Sequence, residues 1–414
     1  MKKLTIKNIG PIKEVTFNIK KINVFMGKQS SGKSTIAKIL SFCSWVEKDI
    51  SFNQSFDKFL EGDYFVNYLK SFHKMERYIK EDSYIEYYGD AVHIEYSNSK
   101  VSIKWLEARF DYKRPKISYI PSERNLIALP EISQVKFPDN YLRSYLLDWL
   151  NVRQNYNYEN KVSVLDTNTS YYFSESDASD HIVGDDYDIP LSAASSGLQS
   201  ITSLLITLDY LTMKLYNKKE ELSFEKENVR YNTAQLIVSE IVLRPLYGKI
   251  FEGEERTKVI EEFNKRLADK SPREMELFKK FKDIRNNLLE YNSTNLIIEE
   301  PEQNLFPATQ KELTYQLLEY LNKSEYDHTM AITTHSPYIL YAINNCMLAH
   351  LVKDKNEDSK LKNSMISPED INIFEIEDGK NRSIQKENGL IGDNYFDQQM
   401  KEVMDDFYQS LNYL

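Results

Sequence analysis

Cysteine is nearly absent: Cys43 and Cys346 are the only two among 414 residues. So few thiols argue against a disulfide framework and for a reducing compartment, here expected to be the cytoplasm. Long apolar runs are missing too, since nothing reaches the ~18 uninterrupted apolar residues of a membrane-spanning helix. The start, Met1-Lys2-Lys3-Leu4-Thr5-Ile6, alternates like a strand and lacks the apolar region of a secretory signal. No membrane partner is expected. Basic charge is in deficit, 53 Lys and Arg against 63 Asp and Glu, for a formal net charge of −10. This balance argues against a wholesale polyanion-binding surface, so nucleic acid is not indicated by charge. A local basic groove stays open, because Lys2, Lys3, Lys7, Lys13, Lys20 and Lys21 crowd the N-terminus. Solvated edges of a hairpin are the simpler reading of those lysines. Internal repeats, sustained heptads, zinc-type Cys/His spacing and a His-Asn-His nuclease pattern are all absent.

What is present is a phosphate-binding loop. Gly27-Lys28-Gln29-Ser30-Ser31-Gly32-Lys33-Ser34 fits G-x-x-x-x-G-K-[ST] at every required position. It follows the apolar run Ile22-Asn23-Val24-Phe25-Met26 and precedes the helical spacing Ile36, Ile39, Leu40, Cys43. Strand, loop and helix in that order are the context the pattern requires. Turns at Gly27 and Gly32 need no Cβ, so backbone N–H groups can face phosphate oxygens. The helix N-terminus near Lys33 adds positive potential. The expected ligand is ATP with Mg²⁺: Lys33 reaches the β- and γ-phosphates, the Ser34 hydroxyl binds the metal, and Thr35 completes the nucleotide-binding stretch.

A second motif closes another apolar strand, Leu296-Ile297-Ile298-Glu299-Glu300. Paired carboxylates at such a position are costly to bury without a cation. Glu299 is expected at the metal, with Glu300 polarising the attacking water. A third apolar strand ends in Thr333-Thr334-His335-Ser336-Pro337, with His335 lying 35 residues after Glu300. Its imidazole is suited to hydrogen-bond a γ-phosphate and a water, with Ser336-Pro337 holding the turn. The fourth piece, Ser195-Ser196-Gly197-Leu198-Gln199, opens a helix and offers hydroxyls and N–H groups to an anion.

Together these elements resemble the ATP-binding heads of ABC-type ATPases, and most nearly the OLD (overcoming lysogenization defect) family and related AAA-type bacterial ATPases. The family's E-E-P-E-x-x-L-H-P reads here Glu299-Glu300-Pro301-Glu302-Gln303-Asn304-Leu305-Phe306-Pro307, and its T-T-H-S-P is residues 333–337. The resemblance covers residues 1–45, roughly 116–210 and 292–345. It implies two heads sandwiching two ATP molecules, with Lys33, Ser34, Glu299, Glu300 and His335 of one facing Ser195, Ser196 and Gly197 of the other. Tyr119-Ile120-Pro121-Ser122-Glu123-Arg124-Asn125 is similar to the family's I-P-x-E-R element; for Arg124 a structural ion pair is an equal reading.

Three departures stand out. Phe306 replaces the family histidine. The signature is degenerate beside L-S-G-G-Q, with Ser196 at the first glycine position and the glutamine displaced to Gln199. About 80 residues follow His335, short for the TOPRIM nuclease domain of full OLD proteins, and no Glu followed by Asp-x-Asp occurs. Asp354, Glu357, Asp358, Glu375, Glu377 and Asp378 read as solvated turns instead. The resemblance therefore extends to TOPRIM-less ATPases of bacterial anti-phage systems such as PARIS and Septu. It implies an ATP hydrolase that controls a separate effector, a nuclease or toxin. A RecF- or SMC-type DNA-repair ATPase clamping DNA, and a non-hydrolytic ATP-dependent scaffold, are the alternatives.

The expected fold is α/β, a P-loop, ABC/SMC-like ATPase head. Residues 1–213 form the N-terminal part of the core with a β-rich insertion at about 49–115. A helical insertion covers 214–290, and 291–414 complete the core with a hairpin turning at Asp378-Gly379 and a last helix over about 395–411.

Overall fold

The computed structural model describes residues 2–129, 132–217, 224–249, 251, 253–269, 271–356 and 359–414. Its frame is an 11-stranded sheet. Strands β1 (Lys3–Ile9), β2 (Ile12–Asn18) and β3 (Ile22–Met26) precede helix α1 (Lys33–Asn53). Helices α2 (Asp57–Leu60) and α3 (Tyr64–His73) lead to β4 (Ile79–Tyr88), β5 (Val92–Ser97), β6 (Lys100–Trp105) and β7 (Pro115–Ile120). Then come α4 (Tyr141–Val152), β8 (Val162–Ser163), β9 (Ser170–Ser174), β10 (Ser179–Val183), β11 (Asp188–Pro190) and α5 (Ser196–Asp209). A helical stretch follows: α6 (Phe224–Ile237), α7 (Arg244–Tyr247), α8 (Gly253–Ala268) and α9 (Pro272–Leu289). The chain closes with β12 (Ser293–Glu299), α10 (Pro307–Lys323), β13 (Thr329–Thr334), α11 (Pro337–Leu351), β14 (Ile371–Glu377), β15 (Lys380–Ser383) and α12 (Tyr395–Leu411).

The strand order is β6-β5-β4-β1-β2-β15-β14-β3-β13-β12-β7. From β14 to β7 every neighbour is parallel, while β6 to β2 are antiparallel. The two halves differ because their sequences do. The parallel strands are continuous apolar runs, as strands covered on both faces must be. Their alternate residues feed two separate cores. Val24, Ile298, Ile332 and Ile373 enter one, shared with α4, α5, α10 and α11. Phe25, Ile297, Ala331 and Phe374 enter the other, shared with α1, α3 and the antiparallel strands. Val24 registers against Ile332 on one side and Ile373 on the other. Strands β8 to β11 form a separate 4-stranded sheet.

The expected α/β P-loop head, with its small antiparallel layer and a run of helices, is therefore the fold the chain adopts. Two elements of the 49–115 stretch are helices, α2 and α3, where only strands were expected. Their aromatic residues stack on α1, with Trp45 and Tyr68 rings 4.7 Å apart. The acids after His335 also need correction. Glu375 is not in a solvated turn: it lies on β14, is 4% exposed, and pairs with Arg382 at 2.5 Å. Glu377 ends the same strand, and Asp378 does occupy the turn, with a left-handed φ of 48°. Glu357 and Asp358 lie outside the described residues. Of the N-terminal lysines, Lys2 pairs with Asp90, Lys7 with Glu14, and Lys20 Nζ donates to the Ile371 carbonyl. Among the described residues, no helix is long and apolar enough to cross a membrane.

Candidate functional site

The site is built where three parallel strands end side by side. β3, β13 and β12 are neighbours in that order, so the loops leaving them are set by strand spacing of about 4.8 Å. The loop after β3 rises to α1, whose N-cap is Gly32 in a left-handed conformation, φ 106°. The backbone angle favours glycine there, and a Cβ would press on the Ile12 side chain, 2.4 Å from its Cδ1. Lys28, Gln29 and Ser30 are exposed on the loop crest, Ser31 and Ser34 are half-buried, and Gly27 and Thr35 are buried. Lys33 is 4% exposed and folds back under the loop. Its ammonium donates to the carbonyls of Gly27 at 3.0 Å and Lys28 at 2.8 Å. Burial lowers its pKa to about 8, opposed by the charges of Glu300 and Glu302. A cation held this way has a strong drive toward an anion that replaces neutral carbonyls with charged oxygens.

Glu299 ends β12, 4% exposed, beside Ser34 and Tyr119. Burial raises its pKa, which Ser34, Lys38 and Tyr119 oppose. Its Oε1 is buried with no hydrogen-bond partner. An orphaned carboxylate oxygen next to a serine hydroxyl is a hard-oxygen donor pair, the kind that suits Mg²⁺ completed by phosphate and water oxygens. The chemistry of Ser34 and Glu299 thus fits Mg²⁺.

Glu300 takes a left-handed backbone, φ 44°, uncommon outside glycine. Its N–H still donates to the Thr333 carbonyl of β13 at 2.9 Å. The strained turn swings its carboxylate to His335, whose Nε2 lies 3.2 Å from Oε1. His335 is first among the causes that lower the Glu300 pKa, ahead of Lys33 and Arg124. A half-exposed, firmly ionised carboxylate is therefore poised beside the loop.

Two further residues hold this geometry. Glu302 Oε1 accepts from Thr334 Oγ1 at 2.8 Å and from the His335 N–H at 2.6 Å, joining the β12 turn to the β13 turn. Burial raises its pKa. Ser336 then caps α11, accepting from the N–H groups of Tyr338 and Ile339. Arg124 is 0% exposed, and its guanidinium donates to the carbonyls of Glu299 at 2.9 Å, Glu300 at 2.7 Å, Pro301 at 3.2 Å and Pro121 at 3.3 Å. It is not the ion pair that the sequence left open: it is a clamp on the backbone of the carboxylate turn. Glu123 instead accepts from Tyr141 Oη at 3.0 Å. The clamp was missed because its partners lie 175 to 177 positions away in sequence. The I-P-x-E-R likeness marked the residue but not its partners.

Lys33, Ser34, Glu299, Glu300 and His335 are thus brought together, whereas Ser195, Ser196 and Gly197 are not part of that cluster. Ser195 caps α5 by accepting from the Leu198 N–H at 3.3 Å, and both serines are exposed. Among the described residues, no hydrogen bond joins them to the phosphate loop. Gly197 packs instead on the turn after β12, where a Cβ would lie 2.8 Å from the Asn304 carbonyl. Gln199 donates to the carbonyls of Ser192 and Ala194 and braces the turn before α5. Phe306, in the family histidine's place, is 75% exposed. On the β14 side of the loop is a cavity of about 370 Å³ bordered by Lys13, Lys28, Ser31, Asp378 and Tyr395. Larger hollows elsewhere, of about 470 and 680 Å³, border none of these residues.

No family model matches the chain, and no curated protein matches it. Among solved structures it is similar to an SMC head domain from Thermotoga maritima, at 10% identity and a TM-score of 0.35, over 82% of this chain and 90% of that one. It is similar to an SMC head bound to the C-winged helix domain of ScpA, at 11% identity and a TM-score of 0.37, over 92% and 96%. A dimeric bacterial ABC transporter cassette matches at 12% identity and a TM-score of 0.31, over 92% and 96%.

Proposed function

We propose that this chain is a Mg²⁺-dependent ATPase whose heads dimerise around ATP and which acts as a switch on a separate effector protein. The observation that carries the reading is the Glu300–His335 pair, 3.2 Å apart on adjacent strand ends beside the loop that bears Lys33. The reaction is ATP + H₂O → ADP + phosphate. Lys33 exchanges its two carbonyl partners for β- and γ-phosphate oxygens. Backbone N–H groups over Gln29–Lys33 and the N-terminus of α1 add to the anion cradle. Ser34 and Glu299 hold Mg²⁺, which when bound supplies neutralisation of phosphate charge. Glu300, kept ionised by His335, orients the attacking water and accepts its proton. The second imidazole contact is the γ-phosphate, so His335 links the presence of that group to the β13 turn.

The exposure of Ser195 and Ser196, and their lack of bonds to their own loop, support a role across a dimer. There they would present an α5 N-terminus to the nucleotide on the other head. Exposed Phe306 would be covered at the same time. Binding energy closes the pair and hydrolysis opens it. The resemblance to TOPRIM-less OLD-like ATPases supports a nuclease or toxin as the controlled partner, in bacterial anti-phage defence.

The test is solution mass by light scattering, with phosphate release followed in the same samples, for wild type and Glu300→Gln with and without Mg-ATP. Wild type should turn over, and the variant should bind ATP, lose ~10²-fold or more in turnover and accumulate as a dimer. Normal turnover by Glu300→Gln would remove Glu300 from the mechanism. A mass indifferent to ATP would remove the switch.

A further inference from the structure

The phosphate loop has a cavity on the side away from the Glu300–His335 pair. β3 has β13 on one side and β14 on the other. Glu300 and His335 stand on the β13 side, so a triphosphate in the loop turns its γ-phosphate that way. What its α-phosphate carries must leave on the opposite side, over β14. There the cavity of about 370 Å³ opens beside the loop crest, at Lys28 to Ser31.

The rim of this cavity is fixed by backbone. The N–H groups of Lys13 and Glu14 donate to the Gly379 carbonyl at 2.8 and 3.0 Å, locking the β1–β2 turn to the β14–β15 turn. Lys13 and Asp378 are exposed on that rim, a donor beside an acceptor. Tyr395, at the root of α12, supplies the one aromatic ring among the lining residues. It is half-buried and packs on the first core. Asn394, 0% exposed, fixes the turn before it by accepting from the Phe396 N–H at 2.9 Å. Lys28 Nζ lies 5.2 Å from the Tyr395 ring centroid, so one face of the ring is turned to the loop. A cation over a ring at an exposed site is a weak contact that a planar ligand can displace. The carbonyl of the same Lys28 accepts from Lys33 Nζ at 2.8 Å. One lysine thus reaches from the phosphate-holding ammonium to the tyrosine ring, and the ribose and α-phosphate of a nucleotide span a similar length.

We infer that Tyr395 is the platform on which the nucleobase of the bound triphosphate stacks, which ties the root of α12 to nucleotide occupancy. The inference rests on the ATP reading of the phosphate loop. Asp378 can accept from the exocyclic amine of adenine, and Lys13 can donate to a ring nitrogen. Tyr395 lies beyond the motif-bearing segments, so the base is held by a residue that no motif marks.

The probes are the non-hydrolysable analogue AMP-PNP and inorganic tripolyphosphate, each titrated with Mg²⁺ into the full chain by calorimetry. Stacking of a base on one aromatic ring changes affinity by about 5- to 100-fold, so wild type should bind AMP-PNP more tightly than tripolyphosphate by at least ~5-fold. Tyr395→Leu keeps apolar bulk against the core and removes the ring. It should weaken AMP-PNP at least ~5-fold and leave tripolyphosphate within about 2-fold, while Tyr395→Phe should match wild type. Amide exchange over residues 396–400 should slow with AMP-PNP and not with tripolyphosphate. Equal wild-type affinity for the two probes keeps the phosphate loop and overturns the platform. Wild-type AMP-PNP affinity in Tyr395→Leu, or equal loss of both probes there, also overturns it. Equal slowing of exchange by both probes overturns the tie to α12. A wild type that binds neither probe overturns the ATP reading, and the platform with it.

Discussion

Replacing Arg124 by methionine keeps most of the buried volume and removes the guanidinium that ties four carbonyls together. The two short bonds, to Glu300 at 2.7 Å and Glu299 at 2.9 Å, carry most of the effect. Hydrogen bonds from a charged donor contribute about 1.5–3 kcal/mol each, and a buried carbonyl left without a donor costs about 1–3 kcal/mol. These figures describe the same loss from two sides, so they are not added. Removing a buried charge also relieves its desolvation cost, which burial expresses here as a lowered Arg124 pKa. The net destabilisation is about 3–5 kcal/mol. Unfolding entropy of about 2.1 cal/mol/K per residue, over 414 residues, makes that a fall in Tm of about 3–6 °C if the chain unfolds as one unit. Function should suffer more than stability. The φ 44° turn at Glu300 persists because the clamp over-determines it, and its relaxation moves the carboxylate away from His335. A misplacement of about 1 Å costs ~10²-fold in rate. Scanning calorimetry and phosphate release on wild type, Arg124→Met and Arg124→Lys measure both. Lysine, a single point charge, should recover little, because it cannot reach carbonyls on both sides of the fork. A Tm within 1 °C of wild type together with normal turnover would refute the clamp.

Two predictions concern pH. Lys33 has its pKa lowered to about 8. A bound triphosphate adds negative charge beside it and raises that pKa, so ATP binding near pH 8 should take up a proton and weaken as pH rises to about 9. Titration calorimetry in two buffers of different ionisation enthalpy reads the uptake; a binding heat independent of buffer excludes it. Glu302 has a folded-state pKa raised above the ordinary 4.5 by burial. The fold therefore favours its protonated form: its stabilising contribution is complete below about pH 4.5 and is lost as pH rises through the folded value. Glu302→Gln keeps an acceptor for Thr334 and His335 without the charge. Its Tm relative to wild type should accordingly rise between about pH 5 and 8, and a difference flat across that range would contradict the assignment.

The parts of the structure legible in the sequence are those whose physics is local. A phosphate loop is a contiguous string between a strand and a helix, and β3, the loop and α1 lie where the string places them. The apolar runs before Glu299 and His335 end where β12 and β13 end. Period-2 patterns located β4, β5 and β6, and Asp378-Gly379 located the last hairpin. Helices α2 and α3 were missed because an aromatic-rich stretch reads as strand by composition, and its burial against α1 is what selects helix. Which strands neighbour one another beyond the local hairpins was not legible. β14 lies beside β3 with Ile371 opposite Ile22, and only the closed sheet sets that pairing.

The same distinction separates the residues expected to do chemistry from those that hold them. Lys33, Glu299, Glu300 and His335 stand in motifs because loop geometry demands particular residue types at fixed spacing. Arg124 donates to backbone carbonyls of another segment, and Glu302 accepts from the His335 N–H and the Thr334 hydroxyl. Both stand in stretches that resemble family motifs, but backbone partners leave no residue type to look for, so their role as clamps was not readable from those motifs. Glu375 shows the converse. Its neighbours Glu377 and Asp378 made it read as part of an exposed acidic turn. The strand period instead turns its side chain inward, where Arg382 seven positions on compensates the charge. That inward turn follows from pairing of β14 with β3, with Glu375 opposite Met26 at the start of the phosphate loop. A buried charge next to that loop is therefore a consequence of sheet order, a property of this fold that its sequence motifs do not carry.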